Sequence, residues 1–413
     1  MVASMAAVRP ELAPAASPLE RLPEEWAELL AQWGEPRFRA LQVFRWIHGK
    51  GALDPAQMTN LPKSLRARLE QEGLAAPLTV VSTHRADDGT RKLLMRLADG
   101  RDVESVLIPP SAAAAGDVFA PDADDDSDED EPAVELSATA GAEAETVRHG
   151  AQRAPTAPIT QCISTQVGCA MGCVFCASGI AGLKRQMTAA EIVGEVLLGR
   201  AALEPGERLR NVVLMGMGEP LHNYEAVARS LVLLTHPDGL GLSTRRVTLS
   251  TSGLVPEIDR LGRDFGGHVQ LAVSVHAVTD ERRSALMPIN RKYPLDELFA
   301  ALRRYPMPRR RRITIEYTLI AGRNDDVADA DRLADLLRGI PSKVNLIPMN
   351  AVPGSSLASA DEGAVDRFQQ RLFARFIPTF VRKRRGGDIA AACGQLALHG
   401  EARKIRLSVT SGG

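Results

Sequence analysis

Three of the five cysteines in this 413-residue chain stand together, as Cys169-Ala-Met-Gly-Cys173-Val-Phe-Cys176. Three thiolates spaced C-x3-C-x2-C can hold three irons of a 4Fe-4S cluster and leave the fourth iron open to a small molecule. The competing chemistry is zinc, for which cysteine is also a preferred ligand. Structural zinc sites take four ligands, usually in two separated pairs, whereas this run offers three with uneven spacing. Spacing alone leaves both readings open. The remaining cysteines, Cys162 and Cys393, lie just upstream of the run and near the C-terminus. Taken singly, each reads as a small buried hydrophobe. Five cysteines with three clustered do not form a disulfide framework. They suit a reducing cytoplasm, where thiolates stay available to metal.

Such a loop needs a scaffold. From 160 to about 385 the chain alternates strand and helix, with strands expected at 161–165, 211–215, 246–250, 269–275, 313–319 and 343–347. Thr188-Ala-Ala-Glu191 is a capping box, and Ile192, Val193, Val196 and Leu197 give the helix behind it an apolar stripe. Six β-α units predict an α/β architecture with a parallel sheet over 159–397, and an open partial (β/α)6 barrel is one way to close it. Parallel barrels carry their sites at the C-terminal ends of strands, and the cysteine run follows the first strand.

Two smaller units precede the barrel. Residues 18–77 read as a helical domain, with Trp26, Leu29, Leu30 and Trp33, then Leu41, Phe44 and Ile47, at three- and four-residue spacing. Its aromatics could stack on bases, but a packed helical core is the plainer role. That leaves Arg37, Arg39, Arg45 and Lys50 to face a polyanion. Residues 78–108 read as a short antiparallel β extension whose turns are Asp88-Gly89 and Asp99-Gly100. In its third strand, alternation puts Glu104 on one face with Val106 and Ile108.

The formal net charge of −1 conceals an uneven distribution. Residues 111–150 hold twelve acidic residues and one arginine, and the rest of the chain has 49 basic against 39 acidic residues. The body is therefore basic. The runs Arg309-Arg310-Arg311-Arg312 and Arg382-Lys383-Arg384-Arg385 could neutralise phosphates; the competing reading is two solvated faces. Residues 109–158, with too little apolar content to offset ordering entropy, are expected to be a disordered acidic insert. The segments 1–17 and 398–413 read as tails, the first lacking the continuous apolar core of a signal peptide. No apolar run is long enough to span a bilayer, so a cytoplasmic protein with no membrane partner is expected.

At this point several segments converge. The cluster segment 161–195 resembles that of the RlmN/Cfr family of radical S-adenosylmethionine (SAM) RNA adenine methyltransferases, and most closely the RlmN type. Matching segments are Gly216-Met-Gly-Glu-Pro-Leu221, Arg246-Val-Thr-Leu-Ser-Thr-Ser-Gly253, Ser274-Val-His276, Asn345-Leu-Ile-Pro-Met-Asn350 and Gly387-Asp-Ile-Ala-Ala-Ala-Cys-Gly-Gln-Leu396. They run in order from about residue 20 to 397, interrupted by the acidic insert, which lengthens a normally short connector by about forty residues.

The resemblance implies a radical-SAM partial barrel. Cys169, Cys173 and Cys176 would hold the 4Fe-4S cluster. Gly218, Glu219, Ser250, Ser274, Val275, His276 and Asn350 would contact SAM. It further implies that Cys393 carries a methyl group taken from a first SAM. A 5'-deoxyadenosyl radical from a second SAM abstracts hydrogen from it, and the carbon radical adds to adenine. Cys162 then releases the product by forming a disulfide with Cys393, and Glu104 serves as general base. The implied substrates are 23S ribosomal RNA and transfer RNA at the base next to the anticodon. The implied partner is a flavodoxin- or ferredoxin-type electron donor. Carbon 2 of adenine is the expected target, and Cfr-like methylation at carbon 8 is the alternative. An RNA-binding protein with structural zinc, or a radical-SAM enzyme for a small molecule, would leave Cys162 and Cys393 without roles.

Overall fold

The computed structural model describes residues 10–110, 156–352, 355–382 and 385–396. Most of the expected N-terminal tail, nearly all of the acidic insert and the C-terminal tail lie outside them. A 3-10 turn, Pro18–Glu20, precedes α1 (Pro23–Gln32) and α2 (Phe38–Phe44). The latter runs into a π-helical turn, Arg45–Gly49, and α3 (Lys63–Gln71) follows. Trp26 is fully buried, and Trp33 and Trp46 pack against the core. The tryptophans of this region are thus packing groups, while Phe38 is exposed.

Strands β1 (Leu78–Arg85), β2 (Arg91–Leu97) and β3 (Asp102–Ile108) form the expected antiparallel extension. Gly89 and Gly100 take φ of 83° and 81° in its two turns, the left-handed values that Asp-Gly turns require. β4 (Ala157–Cys162) pairs antiparallel with β3, Ile108 opposite Thr160 and Val106 opposite Cys162. The acidic insert therefore joins two neighbouring strands. β5 (Gln166–Val167) and β6 (Arg185–Gln186) make a small separate ladder flanking α4 (Ala177–Ala181).

The remainder alternates: α5 (Ala189–Ala201), β7 (Glu207–Leu214), α6 (Tyr224–Thr235), β8 (Val247–Thr251), α7 (Val255–Phe265), β9 (Gln270–Ser274), α8 (Asp280–Leu286), α9 (Leu295–Arg304), β10 (Ile313–Leu319), α10 (Val327–Leu336), β11 (Ser342–Pro348), α11 (Glu362–Ala374) and β12 (Thr379–Val381). From β4 onward the main-sheet strands are parallel, and the sheet order is β1-β2-β3-β4-β7-β8-β9-β10-β11-β12. The result is an open partial barrel with its antiparallel extension on the first edge.

Two details differ from expectation. The first parallel strand ends at Cys162, because Ser164 and Thr165 turn away: the Ser164 amide donates to Glu195 and the Thr165 amide to the Met217 carbonyl. A seventh parallel strand, β12, is added beyond the six expected; at three residues it is too short to show a period. The capping box forms as expected, with the Glu191 amide 3.1 Å from Thr188 Oγ1 and the Thr188 amide 2.9 Å from Glu191 Oε2. Its helix is buried well beyond a single stripe, Glu191 and Glu195 included, because β1–β3 pack on it as well as β7.

The helical region is tied to the barrel by arginines. Arg229 on α6 donates to both carboxylate oxygens of Glu25 and to the carbonyls of Glu20 and Ala13. Arg200 donates to the Gly49 carbonyl at 2.6 Å, and Arg45 pairs with Asp238 at 2.7 Å.

Candidate active site

The loop after β4 lines a cavity at the C-terminal ends of the parallel strands, where parallel barrels carry their sites. Cys169, Cys173 and Cys176 face it together with Gly218, Glu219, Ser250, Ser274, His276, Asn350 and Cys393. Among the described residues no three His, Cys, Asp or Glu side chains converge on a single metal ion. A cluster does not ask for that, since each thiolate binds a different iron. Burial raises the pKa of all three thiols, and their neighbouring thiols add to this. They stay protonated until a cation takes the place of the proton.

The turn after β7 is built for close approach. Gly218 has φ 112°, and a Cβ there would stand 2.7 Å from Gln166 Cβ. Gln166 Oε1 accepts from the Glu219 amide at 2.9 Å. The Glu219 carboxylate is buried and accepts from the amides of Ser252 and Leu221, at 2.7 and 3.1 Å. Burial raises its pKa, and the bonds from Ser252, Thr251 and Leu221 oppose that.

His276 has φ 54° and its Nδ1 accepts from the Thr318 amide at 2.9 Å. That bond leaves the ring proton on Nε2. Burial, then the nearby Arg283 charge, pushes its pKa down to about 3, so the imidazole is neutral. Val275 is fully buried and does not line the cavity; its amide donates to the Glu316 carbonyl. Asn350 donates to the Cys393 carbonyl at 3.0 Å and so anchors the Cys393 loop.

Cys393 reaches the cavity through backbone bonds to the cluster loop: the Ala177 amide donates to Gly394, and Ser178 Oγ to Leu396. It also lines a second, smaller cavity with Val106, the residue opposite Cys162. Burial, then the neighbouring Cys393 thiol, raises the Cys162 pKa, and Arg382 opposes this. The two thiols are thus within electrostatic range of each other, and all five cysteines are free thiols, with no bond joining Cys162 to Cys393. Glu104 is buried on β3, 2.9 Å from Lys92 Nζ, and does not line the cavity.

Sequence reasoning missed three groups. Arg283, fully buried, donates to the carbonyls of Val275, Ser252 and Ser274 and to Asn290, tying together the ends of β8 and β9. Glu316 lies in register with Ser274 on β9 and Asn345 on β11, and lines the cavity. Arg382, read as one of a phosphate-facing run, instead lines both cavities and donates to Cys393 Sγ at 3.1 Å. The other basic run, Arg309–Arg312, leads into β10 and so lies at the end of the sheet opposite the cavity. The signal for Arg382 is present but ambiguous: a cation immediately after a β-rich Thr-Phe-Val.

Comparison with known proteins agrees with this geometry. Residues 163–334 match the model of the radical SAM superfamily, and residues 22–74 match that of the ribosomal RNA large subunit methyltransferase N-terminal domain. The chain is 62% identical over 389 residues to the dual-specificity RNA methyltransferase RlmN of Sorangium cellulosum, covering 94% of this chain and 97% of that one. It is 46% identical to the RlmN of Anaeromyxobacter dehalogenans, covering 92% of each. A crystal structure of a radical SAM methyltransferase from Sphaerobacter thermophilus superposes with a TM-score of 0.77 at 43% identity, covering 92% of this chain and 99% of that chain. The three-thiol cavity, the Gly218-Glu219 turn and the helical N-terminal region thus occur together in a chain that belongs to the RlmN family of radical SAM methyltransferases.

Proposed function

We propose that this chain methylates carbon 2 of adenosine in RNA, namely 23S ribosomal RNA and transfer RNA at the base beside the anticodon. The observation that carries the reading is that Cys393 lines the three-thiol cavity and lies within electrostatic range of Cys162. A radical SAM enzyme acting on a small molecule has no need of those two extra cysteines. The RNA target rests on the named relatives, on the N-terminal region shared with a ribosomal RNA methyltransferase family, and on the basic body. The two relatives described above carry the RlmN name, which favours carbon 2 over the Cfr-like carbon 8.

Cys169, Cys173 and Cys176 would hold a 4Fe-4S cluster, and the Gly218-Glu219 turn with Ser250, Ser274, His276 and Asn350 would position SAM. When bound, this pair supplies a reductively generated 5'-deoxyadenosyl radical. Cys393 would accept a methyl group from one SAM and present it to the radical from another, so that two SAM are used per turnover. Glu104 would remove the ring proton, either directly or through water. Cys162 would attack the Cys393 sulfur to free the product, forming a transient disulfide that must be reduced before the next turnover. A flavodoxin- or ferredoxin-type donor would supply the electron. The reading places the enzyme in the cytoplasm; among the described residues no helix is long and apolar enough to cross a membrane.

The test is anaerobic reconstitution with iron and sulfide, then incubation with SAM, a reductant and an RNA fragment bearing the target adenine. Nucleosides are read by mass spectrometry for wild type and Cys393→Ala. The expected result is 2-methyladenosine from wild type alone. An 8-methyl product, or methylation that survives Cys393→Ala, overturns the reading.

A further inference from the structure

Arg382 stands at a junction the proposed chemistry leaves unassigned. Its amide donates to the Leu346 carbonyl at 2.8 Å, which fixes its backbone at the end of β12. Its Nη1 donates to Cys393 Sγ at 3.1 Å, and its side chain lines both the three-thiol cavity and the smaller cavity beyond Cys393. Burial works against its positive charge, while Cys393, Glu316 and Cys162 around it favour that charge. Glu316 is itself held by Asn345 Nδ2, which donates to Oε2 at 2.6 Å, while Oε1 is buried with no hydrogen-bond partner in the structure. A guanidinium is the one side chain that keeps its charge through such burial and still offers several fixed donors.

We propose that Arg382 is a catalytic residue for the methyl-carrier step: its guanidinium holds the Cys393 sulfur aimed into the three-thiol cavity and stabilises the negative charge that sulfur carries as it attacks. This rests on the assignment of Cys393 as the methyl carrier. The step balances without oxidant or reductant. The S–CH3 bond of SAM breaks, the Cys393 S–CH3 bond forms, the thiol proton leaves to solvent, and sulfur anion and sulfonium both become neutral thioethers. Arg382 loses its anionic partner in that step, while Glu316 continues to favour its charge. The same guanidinium would stabilise negative charge on Cys393 whenever that sulfur is again released. Its bond to the Cys393 sulfur serves both events.

The test reads the sulfur and needs neither RNA nor SAM. The full chain with its cluster reconstituted is treated with iodoacetamide at neutral pH, and labelling of the Cys393 peptide is followed by mass spectrometry. Iron per chain and the melting transition report folding. Arg382→Gln is expected to slow labelling about tenfold or more, the scale of one charge-assisted hydrogen bond to a reacting atom. Arg382→Lys is expected to fall between the two, since it keeps the charge and loses the fork. In Arg382→Gly, added guanidinium ion should restore part of the lost rate, which a purely structural role would not allow. An unchanged rate in Arg382→Gln with normal iron content overturns the proposal. So does a lack of guanidinium rescue, or, where Arg382→Gln fails to fold, a wild-type rate in Arg382→Lys. Failure to find 2-methyladenosine would count against the RNA reading and leave this labelling result standing.

Discussion

Substituting Gly218 by alanine tests whether the turn after β7 is as tight as described. Gly218 has φ 112°, a conformation L-residues rarely adopt, and its virtual Cβ lies 2.7 Å from Gln166 Cβ and Cγ and 2.8 Å from the Gln166 backbone nitrogen. The backbone strain costs about 1–2 kcal/mol. Relief of the overlap requires moving a backbone segment, which adds about 1–3 kcal/mol. The sum is about 3 kcal/mol, or a fall in Tm of roughly 6 °C at about 2 °C per kcal/mol. Relief of the clash would also pull the Glu219 amide from Gln166 Oε1 and its carboxylate from the Ser252 amide. SAM affinity, read by calorimetry, should therefore fall by more than the stability loss alone explains. Gly339→Ala is the matched control, with φ 79° but nothing within 4 Å of the added methyl; it should cost only about 1 kcal/mol. The reasoning is refuted if both variants melt alike, or if Gly218→Ala binds SAM as wild type does.

Three further perturbations follow from the same geometry. Thr188→Ala removes the cap of α5 and should cost about 1 kcal/mol in urea unfolding; no change would mean that the surrounding packing, and not the capping box, holds that helix start. Arg283→Met leaves three strand-end carbonyls and Asn290 without their buried donor, and should cost at least about 3 kcal/mol, seen as loss of soluble protein or a sharply lowered melting point. His48 is fully buried against Phe44, and burial followed by His236 pushes its pKa down to about 3. The unfolded chain takes up that proton below about pH 6.5 and the folded chain does not. Stability is thus fully present above that pH and falls by up to about 1.4 kcal/mol per unit as pH drops from about 6.5 toward 3. His48→Leu should flatten the decline of Tm over that window; an unchanged slope would assign the acid sensitivity to other groups.

What could be read early was whatever is encoded locally. Thr188 and Glu191 are three residues apart, and both halves of their box formed as spacing required. The two Asp-Gly turns set the β extension in the same way. The missed groups depend on juxtapositions no window contains. Glu316 matters because parallel register sets it beside Ser274 and Asn345, on two other strands. Arg283 sits in Asp-Glu-Arg-Arg, which looks like a solvated helix, yet its side chain reaches carbonyls at the ends of β8 and β9. Arg382 lies in a basic run that reads as surface, and only the short β12 turns it inward. The nearness of Cys162 and Cys393 was an implication of family resemblance, and no property of either residue's neighbours in sequence announced it.

The strands of the main sheet stand in the order in which they occur along the chain, apart from the small β5–β6 ladder set aside from it. Each strand can therefore dock on one already made, which keeps sheet closure local and favours assembly from the N-terminus during synthesis. The segment bearing Cys393 breaks that pattern. It folds back across almost the whole chain, with the Gly386 amide on Asp88, Lys92 on the Ala390 carbonyl and the Asp87 amide on Asp388. A nascent chain can thus have a nearly complete sheet, with all three clustered cysteines in place, while its chemistry is still missing. The residues that would make it a methyl carrier are synthesised about 300 residues after the strands that receive them.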